Sequence, residues 1–130
     1  MKLTGPAFRR SWIAGIALAV LVIVAASLMP MPERATAGGT DKIGHFIAYF
    51  TLMLLGAGIA TADRLWQVAI RCLLLGVALE FGQALLTETR QADWADMLAN
   101  GAGILTGWLL ASGPRAGWAR YVESWLARRA

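Results

Sequence analysis

Apolar residues fall in long blocks along this chain, and polar ones are confined to the gaps between blocks and to a few isolated positions inside them. "SWIAGIALAVLVIVAASLM", Ser11 to Met29, holds no charge and reaches the roughly 20 residues that a membrane-crossing helix needs. Pro30 and Pro32 close it, since proline lacks the N–H that continues the helical ladder. A second block runs from Ile43 to Ala60, interrupted only by His45. A third, Trp66 to Leu86, carries Arg71 near its start and Glu80 nearer its end. A fourth, Met97 to Ala111, is short and glycine-rich. The pattern predicts an all-α membrane protein with four transmembrane helices, at residues 11–29, 43–60, 66–86 and 97–111. After Pro114 the pattern changes. Trp118, Tyr121, Val122, Trp125 and Leu126 recur at helical spacing with arginines on the other side, which predicts an amphipathic helix at the membrane surface. The chain thus divides into a transmembrane domain, 1–112, and a cytoplasmic tail, 113–130.

Composition supports this division. Hydrophobic residues make up 58% and charged ones 15% of the 130 residues, with a mean hydropathy of +0.56; soluble domains carry about 25% charge. The single cysteine, Cys72, excludes an internal disulfide and a cysteine metal cluster, and reads as a small buried hydrophobe. The net charge of +4 does not mark a nucleic-acid partner, because the basic residues flank the apolar blocks. Lys2, Arg9 and Arg10 precede the first block, and Arg115, Arg120, Arg128 and Arg129 follow the last. Arg64 and Arg71 mark the turn between the second and third. These positions predict cytoplasmic termini. The loops holding Lys42 and Arg90 alongside several acids then face outward. A cleaved signal peptide ending at the "ATA" of Ala35 to Ala37 is disfavoured, because the apolar run exceeds the usual core of about 7–15 residues.

Glu80 now needs a reason. A charge at the centre of a spanning helix costs about 2.5–3.5 kcal/mol on insertion scales, less toward the interface. Glu80 sits six residues before Leu86, roughly 9 Å from the outer end at 1.5 Å per residue, and Gln83 shares its helical face. Asp41, His45 and Tyr49 form an i, i+4, i+8 stripe on the second helix, and Asp96 and Asn100 an i, i+4 stripe on the fourth. Gly103 and Gly107, a GxxxG pair suited to close helix packing, continue that last stripe. Three polar stripes therefore meet in the outer half, where Glu80 has His45, Arg90, Lys42 or Asn100 as prospective partners. Interhelical hydrogen bonding explains any one of these residues alone. Together, the acids, the histidine and the arginine on one side favour a site.

Three blocks carry a resemblance. "DKIGHFIAY" at 41–49, "GVALEFGQ" at 76–83, and the series Arg90, Asp93, Asp96, Asn100, Gly103 and Gly107 resemble, in order, the signature blocks of the VanZ-like family. The resemblance implies a small protein of the bacterial inner membrane. It implies that Asp41, Lys42, His45, Glu80, Gln83, Arg90, Asp96 and Asn100 occupy the family's polar motif positions. The family takes its name from a protein linked to teicoplanin resistance, which points to the cell envelope. Asp93 stands where a small hydroxyl residue is frequent in the family, and "LTETR" before Arg90 lacks a proline often found there.

The leading functional expectation is binding of an envelope lipid precursor at the outer leaflet. Arg90, Lys42 and protonated His45 suit its phosphate; Asn100, Gln83 and Asp96 suit sugar or peptide groups; an apolar groove takes an isoprenoid tail. Asp41 completes the ligand-binding set. A membrane hydrolase or transferase on such a lipid would use His45 or Glu80 as acid or base, although no nucleophile motif is present. A scaffold acting through the tail and a proton relay through Glu80 and His45 are further alternatives, the relay requiring a homo-oligomer for a continuous path. No cofactor fingerprint occurs. A metal held by His45, Asp41 and Glu80 or Asp96 ranks low, because zinc usually takes more nitrogen or sulfur.

Overall fold

Each helix begins and ends where local chemistry dictates. The structure, a computed structural model, describes residues 5–29, 39–87 and 93–129; Arg90 and the Ala35 to Ala37 motif lie outside the described residues. Helix α1, Pro6–Leu28, opens on a proline, whose missing N–H is harmless in the first turn. Helix α2, Thr40–Ile59, follows Gly39, which sits at φ 71°, a left-handed conformation that glycine adopts without a Cβ penalty. A short 3-10 turn, Ala62–Arg64, leads into α3, Leu65–Leu86. Helix α4, Trp94–Ala111, is capped by Asp93, whose Oδ1 accepts the Ala95 N–H at 2.8 Å. Helix α5, Ala119–Arg129, forms the tail. The described residues contain no strand.

The four long helices run up and down. The C-terminal ends of α1 and α3 meet the N-terminal ends of α2 and α4 at one end, as the bonds from Gln83 to Ser27 and from Lys42 to Asp93 show. At the other end the tail returns to the bundle. Trp118 donates its indole N–H to the Leu54 carbonyl and Trp12 to that of Leu55, each at 3.0 Å. The Gly117 N–H reaches the Ala57 carbonyl at 2.9 Å. Ala116 and Ala119 are buried. The tail helix is therefore anchored to α2 by the turn that precedes it, and does not simply lie beside the bundle.

The tightest seam joins α2 and α4. A Cβ at Gly103 would run into the Phe46 carbonyl oxygen and lie 2.9 Å from the Phe50 nitrogen; at Gly107 it would lie 3.0 Å from the Met53 Cβ. Small residues let these backbones touch, as in membrane bundles generally. Burial is inverted relative to a soluble domain. Leu21 and Leu74 are more than 60% exposed while Glu80, Gln83 and Asn100 are 2% exposed. Three segments, Pro6–Leu28, Thr40–Ile59 and Ala62–Leu86, are long and apolar enough to cross a membrane. Helix α4 is not among these three, and it carries Asp96 and Asn100 within its first two turns.

Candidate functional site

The polar stripes converge at the end where α2 and α4 begin. Lys42, in the first turn of α2, donates to Asp93 Oδ2 at 2.8 Å and to Asp96 Oδ1 at 3.0 Å. This clamp joins α2 to the cap of α4. It also holds the Asp93 carboxyl below the usual carboxylate range, with the Ala95 N–H adding to the effect. One turn on, His45 Nδ1 lies 3.0 Å from Asn100 Oδ1. Its Nε2 faces Asp41 Oδ1 at 3.8 Å and Asp96 Oδ2 at 3.6 Å. Asp96 therefore bridges, with one oxygen on Lys42 and the other toward the imidazole.

Glu80 enters from α3. Its Oε1 accepts the backbone N–H of Asp93 at 2.6 Å. Its Oε2 is buried and has no hydrogen-bond partner among the described residues. The structure thus gives Glu80 a different partner from the side chains expected in His45, Lys42 and Asn100, and it tethers α3 to the start of α4. Gln83, one turn farther on, turns toward α1 and donates to the Ser27 carbonyl at 2.9 Å. Asp41, Lys42, His45, Asp96 and Asn100 come together on the α2–α4 seam, with Glu80 beside them and Gln83 directed elsewhere.

Tyr49, the third member of the α2 stripe, is 2% exposed and lies against Gly76 beside Asn100. The tight approach of Gly76 to both side chains explains why α3 carries a glycine there: a Cβ would lie 3.1 Å from Asn100 Nδ2. A groove of about 480 Å³ opens between α1 and α2. Val22, Ile23 and Ala26 line one wall and Ile47, Ala48 and Leu52 the other, while Asp41 and His45 close its polar end.

The family model VanZ/LLP1 matches residues 8–115. The chain belongs to the VanZ/LLP1 family. The match spans α1 to α4 and the turn that follows, so it takes in every polar residue of the convergence and stops before the tail helix. No curated protein and no solved structure matches the chain. Two contributors to this VanZ/LLP1 site escape sequence reasoning. One is the capping role of Asp93, which its position just before an apolar run could have signalled. The other is the double bond of Lys42 across 51 and 54 residues, which no local pattern announces.

Proposed function

We propose that the chain is a four-span protein of the bacterial inner membrane, with cytoplasmic termini, that binds an envelope lipid precursor through the α1–α2 groove. The observation that carries this reading is an apolar groove that ends on a buried polar cluster, which matches a long tail joined to a polar head. From Asp41 to Leu52 the groove follows α2 for roughly 16 Å at 1.5 Å per residue. Two facts support the span count and direction. Helix α4 has 18 residues, or about 27 Å against a hydrocarbon core of about 30 Å. Arg9, Arg64, Arg71, Arg115 and Arg120 gather at the end opposite the cluster.

The Lys42 ammonium is engaged with two carboxylates, so the lipid's sugar hydroxyls would meet carboxylate oxygens before its phosphate meets a lysine. An effect on teicoplanin susceptibility would follow from handling such a lipid. The other readings find less support. The residues packed below Glu80 on α3, Gly76, Cys72 and Ala69, offer no proton path. Trp118, prominent in a tail-scaffold reading, is already bonded to α2.

Gly44 lines the groove, and a Cβ there meets nothing within 4 Å, so Gly44→Leu starts from open space and places its side chain in the groove mouth. Native mass spectrometry of protein from the membrane should show an isoprenoid phosphate or glycolipid on the wild type and its loss from Gly44→Leu. Bulk phospholipid alone on both would overturn the proposal.

A further inference from the structure

Asp41, His45 and Asp96 each offer one donor atom, and these atoms lie within 4.8 Å of one another. Asn100 fixes the imidazole. Its side-chain oxygen faces His45 Nδ1, so Nδ1 carries the hydrogen, and in the neutral ring Nε2 then has its lone pair on the side of the two carboxylates, where a cation would sit between them. That is how a metal-ligating histidine is commonly held, with the second ring nitrogen donating to a neighbouring oxygen. The separations fit as well. Bonds of about 2.1 Å at tetrahedral angles place donor atoms about 3.4 Å apart; here Nε2 lies 3.8 and 3.6 Å from the two oxygens and all three donors lie within 4.8 Å of one another, so binding an ion would draw the two carboxylates inward.

A separate observation points the same way. The Glu80 Oε2 atom is buried and, among the described residues, without a hydrogen-bond partner, on a side chain 2% exposed whose other oxygen takes the N–H of Asp93, the residue that Lys42 joins to Asp96. Four carboxylates, Asp41, Glu80, Asp93 and Asp96, meet one lysine here. A buried charge is paired or coordinates a metal.

We infer that Asp41, His45 and Asp96 form a binding site for a divalent metal ion. One imidazole and two carboxylates are poor in nitrogen for zinc and suit a harder cation that accepts both nitrogen and oxygen, such as Mn²⁺. Three protein ligands leave positions open, and Asp41 and His45 line the α1–α2 groove, so an open position faces it. The cation supplies the positive charge that a phosphate would need. Its presence is independent of the lipid reading; its contact with a phosphate rests on it.

The test uses purified full-length protein in detergent, stripped with chelator and titrated with Mn²⁺ under electron paramagnetic resonance. The expected result is one Mn²⁺ per chain with hyperfine coupling to an imidazole nitrogen. His45→Gln should abolish the nitrogen coupling. Asp41→Asn should weaken binding at least about tenfold, the loss that even an outer neighbour of a ligand produces. Glu123→Gln, at the opposite end, should change nothing. Wild-type protein that binds no Mn²⁺, or binds it without nitrogen coupling, overturns the inference and leaves His45 as an imidazolium between two carboxylates. Because no lipid precursor is added, a negative result here leaves the mass-spectrometric test of the groove unaffected.

Discussion

The two ends of the bundle satisfy their polar groups in opposite ways. At the arginine-rich end, indole N–H groups of Trp12 and Trp118 bond to main-chain carbonyls of α2, and Arg115 reaches the Leu110 carbonyl at the last turn of α4. Each bond is a neutral or singly charged donor meeting a backbone carbonyl within the last two turns of a helix. Trp12 and Trp118 also pack edge to face with centroids 5.1 Å apart, and the Gly5 N–H bonds to Glu123 of the tail. That end explains itself as an anchor. At the other end, carboxylates, a lysine, an imidazole and an amide meet chiefly side chain to side chain, and among the described residues a buried oxygen of Glu80 has no partner. Burial of ionisable groups is costly in a membrane setting, so the second end carries a cost that helix anchoring alone does not require.

The steepest way to break this comparison is at the seam beneath the polar end. Gly103→Leu forces α2 and α4 apart and should destabilise the bundle by about 3 kcal/mol or more, the upper range for overpacking, read as loss of a monodisperse peak and of the thermal transition. Gly101→Ala, where an added Cβ meets nothing, is the control and should leave both intact. Lys42→Met strands Asp93 and Asp96. A fully buried pair broken on one side loses roughly 3–5 kcal/mol, but the Lys42 and Asp93 side chains are each 41% exposed, so about 2 kcal/mol is expected. Thermal unfolding in detergent measures it.

At the anchoring end the expected effect is smaller. Trp118→Phe keeps an aromatic ring but removes one hydrogen bond and part of the indole's packing, costing about 1 kcal/mol or slightly more, and should free the tail to limited proteolysis without changing the polar end. Smallest is the response of the Lys42–Asp93 pair to acid. The Asp93 carboxyl is depressed when folded, so its contribution is present above the unfolded value of about 3.9 and is lost as pH falls through the folded one. Asp93→Asn keeps a capping side chain. It should therefore unfold with a shallower pH dependence than wild type below about pH 4, the difference staying under about 1 kcal/mol for so exposed a pair.

The sequence already showed the apolar blocks, because helices in lipid need uninterrupted apolar length and this chain supplies it. It also showed which residues converge: Asp41, His45, Asp96 and Asn100 share helical stripes whose period is visible by counting. What it hid depends on backbone acceptors and rotation. Nothing about Gln83 reveals that its amide meets the Ser27 carbonyl on α1, or that Glu80 accepts a main-chain N–H in place of a side chain. The docking of the tail was hidden for the same reason, since an indole bonding to a carbonyl leaves no complementary residue to find. Asp93 was visible only as an acid in a loop, and its place before "WADML" is the feature that makes it a cap.

The most direct test of the contrast between the two ends is the thermal stability of ligand-free Glu80→Gln beside wild type. A glutamine oxygen can still accept the Asp93 N–H, while the partnerless charge is gone. If Glu80 serves a ligand, the variant should melt at the wild-type temperature or higher. A melting temperature lowered by ten degrees or so, on the order of 2–3 kcal/mol, would show instead that the carboxylate holds the fold together, and the polar end would then be an anchor like the other.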